Sequence, residues 1–131
     1  MKEQTGSEAP KATFSPKGGF DRLESMFEFQ KNFSEKFIPF KSLTEADQDH
    51  WLEKMSTCLM MEAAELKEET NWKHHKSAKK KLDMEKIKYE IMDQLAFVIC
   101  SACVAGMNVE ELYQCFMTKV QVNYDRKKAG Y

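Results

Sequence analysis

The chain is poor in helix breakers, with only 5 Gly and 3 Pro among 131 residues. Three of those Gly (Gly6, Gly18, Gly19) and two of the Pro (Pro10, Pro16) fall within the first 19 residues. The remainder has few sites for tight turns, which excludes most β-sandwich and barrel architectures. Sustained period-2 alternation of β-branched residues is also missing, so no sheet is expected. Long apolar runs are lacking too. The longest, from Leu95 to Met107 with Ser101 inside it, falls short of the about 20 residues of a membrane span and reads as a buried helix. Charge is balanced, with 20 Lys+Arg against 21 Asp+Glu, so the basic excess of a nucleic-acid coat is absent. Residues 1–7 show no apolar segment of a secretory leader, and a cytoplasmic location is expected.

Cysteine is sparse. Cys58, Cys100, Cys103 and Cys115 all sit in apolar, helix-patterned stretches, and free buried thiols in a reducing compartment are expected. Cys100 and Cys103 form a CxxC, yet no second Cys pair or nearby His completes a zinc site.

What the chain does have is helical periodicity. Residues 1–19 read as a flexible tail and 20–131 as one all-α domain. A first helix starts near Asp21, carries Leu23, Met26, Phe27, Gln30, Phe33 and Phe37 at spacings of three and four, and ends at Pro39. Thr44 and Asp47 offer a capping box for a second helix within 45–72, with Trp51, Leu52, Met55, Leu59, Ala63 and Leu66 as apolar positions. The basic stretch 73–81 is a loop. A third helix is expected from about Asp83 to Ala105, with Ile87, Ile91, Leu95, Val98 and Ala102 as its core stripe. Gly106 closes it and Asn108, with Glu111 three residues on, opens a fourth. That fourth helix carries Val109, Leu112, Cys115, Phe116 and Val120. The pattern is a four-helix bundle.

Carboxylates interrupt the apolar pattern in two places. The second helix holds Glu62 and Glu65, the third Glu90 and Asp93, each pair at i, i+3. At about 100° per residue such partners lie within about 60° on the helix surface, so their oxygens can converge. Like charges so placed repel, a cost that divalent cations between the pairs remove. Either pair alone is an ordinary solvated face; two, each flanked by Leu, Met, Ile or Ala, point to a site. Four carboxylates without Cys or His form a hard-cation set, favouring Mg²⁺ or Mn²⁺ over zinc. A ferritin-like di-iron site needs Glu-x-x-His on two helices. Here the residues three before His50, His74 and His75 are Asp47, Asn71 and Trp72, so that alternative fails. Lys73, Lys76, Lys79, Lys80 and Lys81 lie in the loop between the acidic helices. Lys119, Arg126, Lys127 and Lys128 form a second basic group near the C-terminus. Cations beside a carboxylate-bound metal suit a polyphosphate.

These residues resemble the all-α nucleoside triphosphate pyrophosphohydrolases, the group of the dimeric dUTPases and MazG-like enzymes, from about Leu23 to Tyr131. The resemblance rests on Glu62/Glu65 continued by Leu66, on Asn71-Trp72-Lys73 with Lys76, and on Glu90/Asp93 followed by Phe97. The closing string Lys119-x-x-x-Asn123-x-x-Arg126-x-x-x-Gly130-Tyr131 is similar to the substrate-binding tail of dUTPase-like members. It implies Mg²⁺-dependent hydrolysis of a deoxynucleoside triphosphate to monophosphate and pyrophosphate by a homo-oligomer, dimer or tetramer. Glu62, Glu65, Glu90 and Asp93 would hold metal, with Glu62 the orienting base. Lys73, Lys76, Lys119 and Arg126 would contact phosphate, and Asn123 and Tyr131 sugar or phosphate. Gln30 would read the base, and Asn71 and Trp72 complete the substrate set. Where dimeric dUTPases carry Leu-Asn after that Gln, this chain has Phe33-Ser34, and Lys127 stands where a Gln follows the Arg. The expected base is uracil, with dCTP or a modified nucleotide as the alternative. A non-catalytic helical protein that binds nucleotides or a partner is the competing class.

Overall fold

The computed structural model describes residues 21–130. The tail expected at 1–19 and Tyr131 lie outside the described residues. Four helices form: α1 (Arg22–Ser34), α2 (Glu45–Glu68), α3 (Met84–Val104) and α4 (Val109–Lys128), with a 3₁₀ turn at Phe40–Ser42 and no strand among the described residues.

Short polar side chains set the helix starts. Asp21 accepts from Glu24 N, Asp83 from Lys86 N and Asn108 from Glu111 N, each pairing an amide that the helix leaves open. At α2 the capping box is complete: Thr44 accepts from Asp47 N at 3.1 Å while Asp47 accepts from Thr44 N at 3.0 Å. The two bonds from Thr44 hold the Asp47 carboxyl below its usual range. α3 stops in a Schellman turn. Gly106, at φ 81°, donates to Cys103 O, and Met107 N donates to Ala102 O at 2.9 Å. Gln48 of α2 donates to Val104 O, capping the same end from outside.

α1 ends at Ser34, before the expected stop at Pro39. The amides of Phe37 and Ile38 both donate to Ser34 O, and this turn drives Ile38, at 0% exposure, into the core. α3 is the central element. Its buried residues Ile99, Ala102 and Cys103 pack on Phe27 of α1, while Cys100 and Val104 pack on Ile38 and Met55. The stripe read from the sequence is thus rotated: Ala102 is buried, whereas Ile91 and Val98 are exposed.

The bundle expected of four helices is incomplete at its last member. α2 and α3 lie along each other and α1 packs on α3, but α4 buries no residue fully. Only Val109 and Leu112, in its first turn, join the core with Met107. Phe116 and Cys115, read from the sequence as core, are exposed, Phe116 at 65%. Cys100 and Cys103 are buried free thiols as expected, and burial pushes Cys103 up to about 11. Among the described residues no single helix is long and apolar enough to cross a membrane.

Candidate functional site

The α2–α3 pair brings three of the four expected carboxylates together. Oxygens of Glu62, Glu65 and Glu90 lie within 4.8 Å of one another. Spacing of three places Glu62 and Glu65 on one face of α2, and that face meets α3 at Glu90. Asp93 stands outside this trio, exposed, one turn further along α3. It remains close enough that its charge helps hold Glu62 and Glu90 up.

Two oxygens of the cluster are orphans. Glu62 Oε2 and Glu90 Oε2 are shut off from solvent without a hydrogen-bond partner. A buried carboxylate oxygen left so is costly. Burial first, and then neighbouring acids, push both carboxyls above the usual range: Glu65 and Asp93 act on Glu62, and Glu65, Asp93 and Glu62 on Glu90. An all-oxygen donor set with two unpartnered buried atoms fits a hard divalent cation, Mg²⁺ or Mn²⁺, and offers nothing to a thiophilic one.

Beside the acids is a cavity of about 300 Å³. Glu62 and Asp93 form its acidic edge; Gln30, Ser34 and Cys100 line it with Met55, Ala96, Phe97, Phe33 and Phe37. Gln30 thus shares a cavity with Glu62 and Asp93. Phe33 and Phe37, which follow the helical spacing of the first helix in the sequence, are more than half exposed and stand edge to face, 5.8 Å between centroids. Ser34, Cys100 and Met55, noted in the sequence for other reasons and not as site residues, also line it. Ser34 follows Gln30 by four on one helix, a signal that could have placed it there; Cys100 and Met55 arrive from other helices, and nothing in their spacing announces it.

The loop between the acidic helices folds into a second cavity of about 230 Å³, lined by Trp72, Lys73, Lys76, Lys79 and Lys80 among others. Asn71 builds it. Its amide donates to Lys80 O at 3.0 Å and accepts from Lys80 N at 2.9 Å, so the side chain is spent on the loop backbone. Asn71 thereby clamps the loop and also lines the cavity. The Lys80 ammonium donates to Glu68 O, and Lys86 pairs with Glu69 at 2.9 Å, tying the base of the loop. Trp72 lies beneath the ammonium groups of Lys67 and Lys73, 4.8 and 5.4 Å from its ring centre.

Lys119, Asn123 and Arg126 are exposed on the second half of α4 and line neither cavity. Asp93 is about 16 Å of helix rise from the end of α3, and the chain then bends by 111° into α4. Within one chain these residues are not gathered at the acids.

The family model described as dUTPase matches residues 22–104. The chain belongs to the all-α dimeric dUTPase family. The matched span holds α1 to α3, hence all four acidic positions and Gln30, and it stops before α4. No curated protein and no solved structure matches the chain. The family suggests a nucleotide pyrophosphatase, typically metal-dependent, and the described residues include an acidic cluster whose oxygens could hold an ion.

Proposed function

We propose that the chain hydrolyses a deoxynucleoside triphosphate, with dUTP as the preferred substrate, to the monophosphate and pyrophosphate in the presence of Mg²⁺. The reading is carried by one observation: Glu62 and Glu90, each with an orphaned oxygen, cluster with Glu65 within 4.8 Å beside a cavity lined by Gln30. The three features follow one another along α2. Met55 lies at the apolar cavity, Glu62 and Glu65 come next, and Trp72 and the lysines follow beyond the helix end. A nucleotide laid in this order puts its base among Phe33, Phe37 and Phe97, its α-phosphate over the acids and its outer phosphates toward Lys73 and Lys76.

Glu62, Glu65 and Glu90 would hold the metal, with Asp93 reaching it from the cavity edge. Mg²⁺, when bound, neutralises phosphate charge and acidifies a ligated water. Glu62 orients the attacking water and accepts its proton, a role suited to a carboxyl held above its usual range. The water oxygen bonds to the α-phosphorus as the bridge to the β-phosphate breaks, and pyrophosphate leaves. Lys73 and Lys76 counter the charge on the departing group. Trp72, with two ammonium groups over its ring, lies at the same end.

The protein acts as a homo-oligomer, dimer or tetramer, in the cytoplasm. The exposed apolar side chains of α4, Tyr113, Phe116, Met117 and Tyr124, support pairing with another copy. Pyrophosphate release from a panel of dNTPs, with Mg²⁺, with Mn²⁺ and with EDTA, tests the activity. Release from dUTP that EDTA abolishes is the expected result. Turnover of dCTP in preference to dUTP replaces the base assignment, and no turnover of any nucleotide with either metal favours the non-catalytic class.

A further inference from the structure

The Glu69–Lys86 ion pair continues the line of the acidic cluster. Along the seam between α2 and α3, Met55 shares a core cluster with Cys100, Glu62 lines the cavity with Asp93, Glu65 meets Glu90, and Glu69 bonds Lys86. Every step along α2 is matched by an equal step back along α3, the register of two antiparallel helices. Lys86 therefore stands one turn, about 5.4 Å of rise, from Glu90 on the face that meets α2.

An ammonium at that position has an acceptor within reach on its own helix. Glu90 Oε2 is buried without a partner, and Lys and Glu side chains four apart on a helix lie side by side. Lys86 nevertheless gives its bond to Glu69 across the seam, at 2.9 Å. Two features favour that choice. A lysine N-terminal to its glutamate is the weaker order for a pair within one helix. The Glu69 side chain is only 16% exposed, so departure of the ammonium would leave a carboxylate unpaired and largely cut off from water. Glu69 foremost, and then Glu90 and Asp83, hold the Lys86 ammonium above its usual range, so the lysine lies within the field of the acidic cluster.

We propose that Glu69 is a positioning residue that holds the Lys86 ammonium off Glu90 and so leaves the buried oxygens of the acidic cluster to a divalent cation. The inference rests on the metal-dependent reading above. A lysine turned to Glu90 would fill the orphaned oxygen and cancel charge that an ion needs. Glu69, four residues beyond Glu65 on α2, takes that competitor away, and the pair it forms is neutral.

The test is calorimetric titration of the full chain with Mn²⁺, without nucleotide, for the wild type, Glu69→Gln, Lys86→Met and the double variant. Glu69→Gln releases Lys86 and is expected to weaken Mn²⁺ binding about 10-fold, the scale on which one nearby unit charge acts on a divalent ion in water. Lys86→Met is expected to bind at least as tightly as the wild type. The double variant is expected to recover wild-type affinity although it also lacks the ion pair. A pair that merely braced the helices gives the reverse, weaker binding in Lys86→Met and no recovery in the double variant. Either of those results overturns the inference, as does an unchanged Kd in Glu69→Gln. If Glu69→Gln does not fold, the direction of the change in Lys86→Met decides alone. A wild type that binds no Mn²⁺ overturns the metal-dependent reading and this inference with it.

Discussion

Replacing Glu65 by Gln separates a cation site from a chance meeting of acids. Glu65 faces both Glu62 and Glu90, with oxygens no more than 4.8 Å apart. Two unit charges at that distance repel by about 0.9 kcal/mol in water and by about 3.5 kcal/mol at an effective dielectric of 20. Glu65 is exposed, so the lower figure governs, and two partners give about 2 kcal/mol. Solvent screening of the exposed Glu65 side chain reduces the relief to about 1 kcal/mol, or a melting rise of about 4 °C. In EDTA the variant is therefore the more stable protein. In Mg²⁺ at a hundred times its Kd the wild type gains about 2.7 kcal/mol by mass action, while the variant, one ligand short, gains far less. The two melting curves exchange order when EDTA is replaced by Mg²⁺. Turnover falls about 10³-fold, as the loss of several kcal/mol of metal-borne stabilisation requires. Thermal melts in the two buffers read the exchange directly. A variant less stable than wild type in EDTA, or a wild type indifferent to Mg²⁺, refutes the shared cation centre.

Thr44→Ala removes half of the α2 capping box and costs about 1 kcal/mol, lowering the melting temperature without changing KM. Asp47, held low by the same box, contributes stability that is fully present above the ordinary aspartate range. It is lost as pH falls through the lower value of the folded state, and acid melts of Thr44→Ala show a weaker loss there. Asn71→Ala releases the loop from two hydrogen bonds; KM for the nucleotide rises several-fold while the melting temperature barely moves, and unchanged KM removes the loop from the substrate path. Lys119 and Arg126 line neither cavity of their own chain, and the proposed homo-oligomer predicts that they act at the acids of a second copy. Mixing Glu65→Gln chains with Lys119→Ala/Arg126→Ala chains, each inactive alone, restores about a quarter of wild-type turnover in a statistical dimer, and silence of the mixture rejects the sharing.

The helices were legible because their ends are written in local chemistry. Asp21, Thr44, Asp83, Asn108 and Gly106 each satisfy a helix end through residues at most four away, and a linear reading finds such signals. The meeting of Glu62 with Glu65 follows from spacing alone, and that of both with Glu90 from two helices joined by one loop. The cavity was not legible. Phe33 and Phe37 repeat at helical spacing just as Phe27 does, and periodicity cannot tell a side chain that fills the core from one that lines an opening. The same limit hid the exposure of Phe116. Asp93 was grouped with the trio because i, i+3 permits convergence; it shares the cavity edge with Glu62, while the oxygens within 4.8 Å of one another are those of Glu62, Glu65 and Glu90. The Asn71 clamp spans nine residues of loop, with no period to announce it.

Stability and function occupy opposite ends of the α2–α3 pair. Every fully buried residue of α3 lies from Ile99 onward, and Met55 is the last on α2. Beyond them toward the loop come Glu62, Glu65 and Glu90, whose mutual repulsion pushes the helices apart. What opposes it there is the Glu69–Lys86 ion pair, exposed on its lysine side, and the loop closed by Asn71. Surface contacts of this kind contribute little to folding. The core end can therefore stay rigid while the acidic end opens at small cost, which is the order of local stabilities a site needs if it must admit a highly charged substrate and release two charged products. A divalent cation bound as proposed would reverse the sign of the interaction at that end, drawing together the carboxylates that otherwise hold the helices apart. Closure of the acidic end would then be coupled to the arrival of the ion.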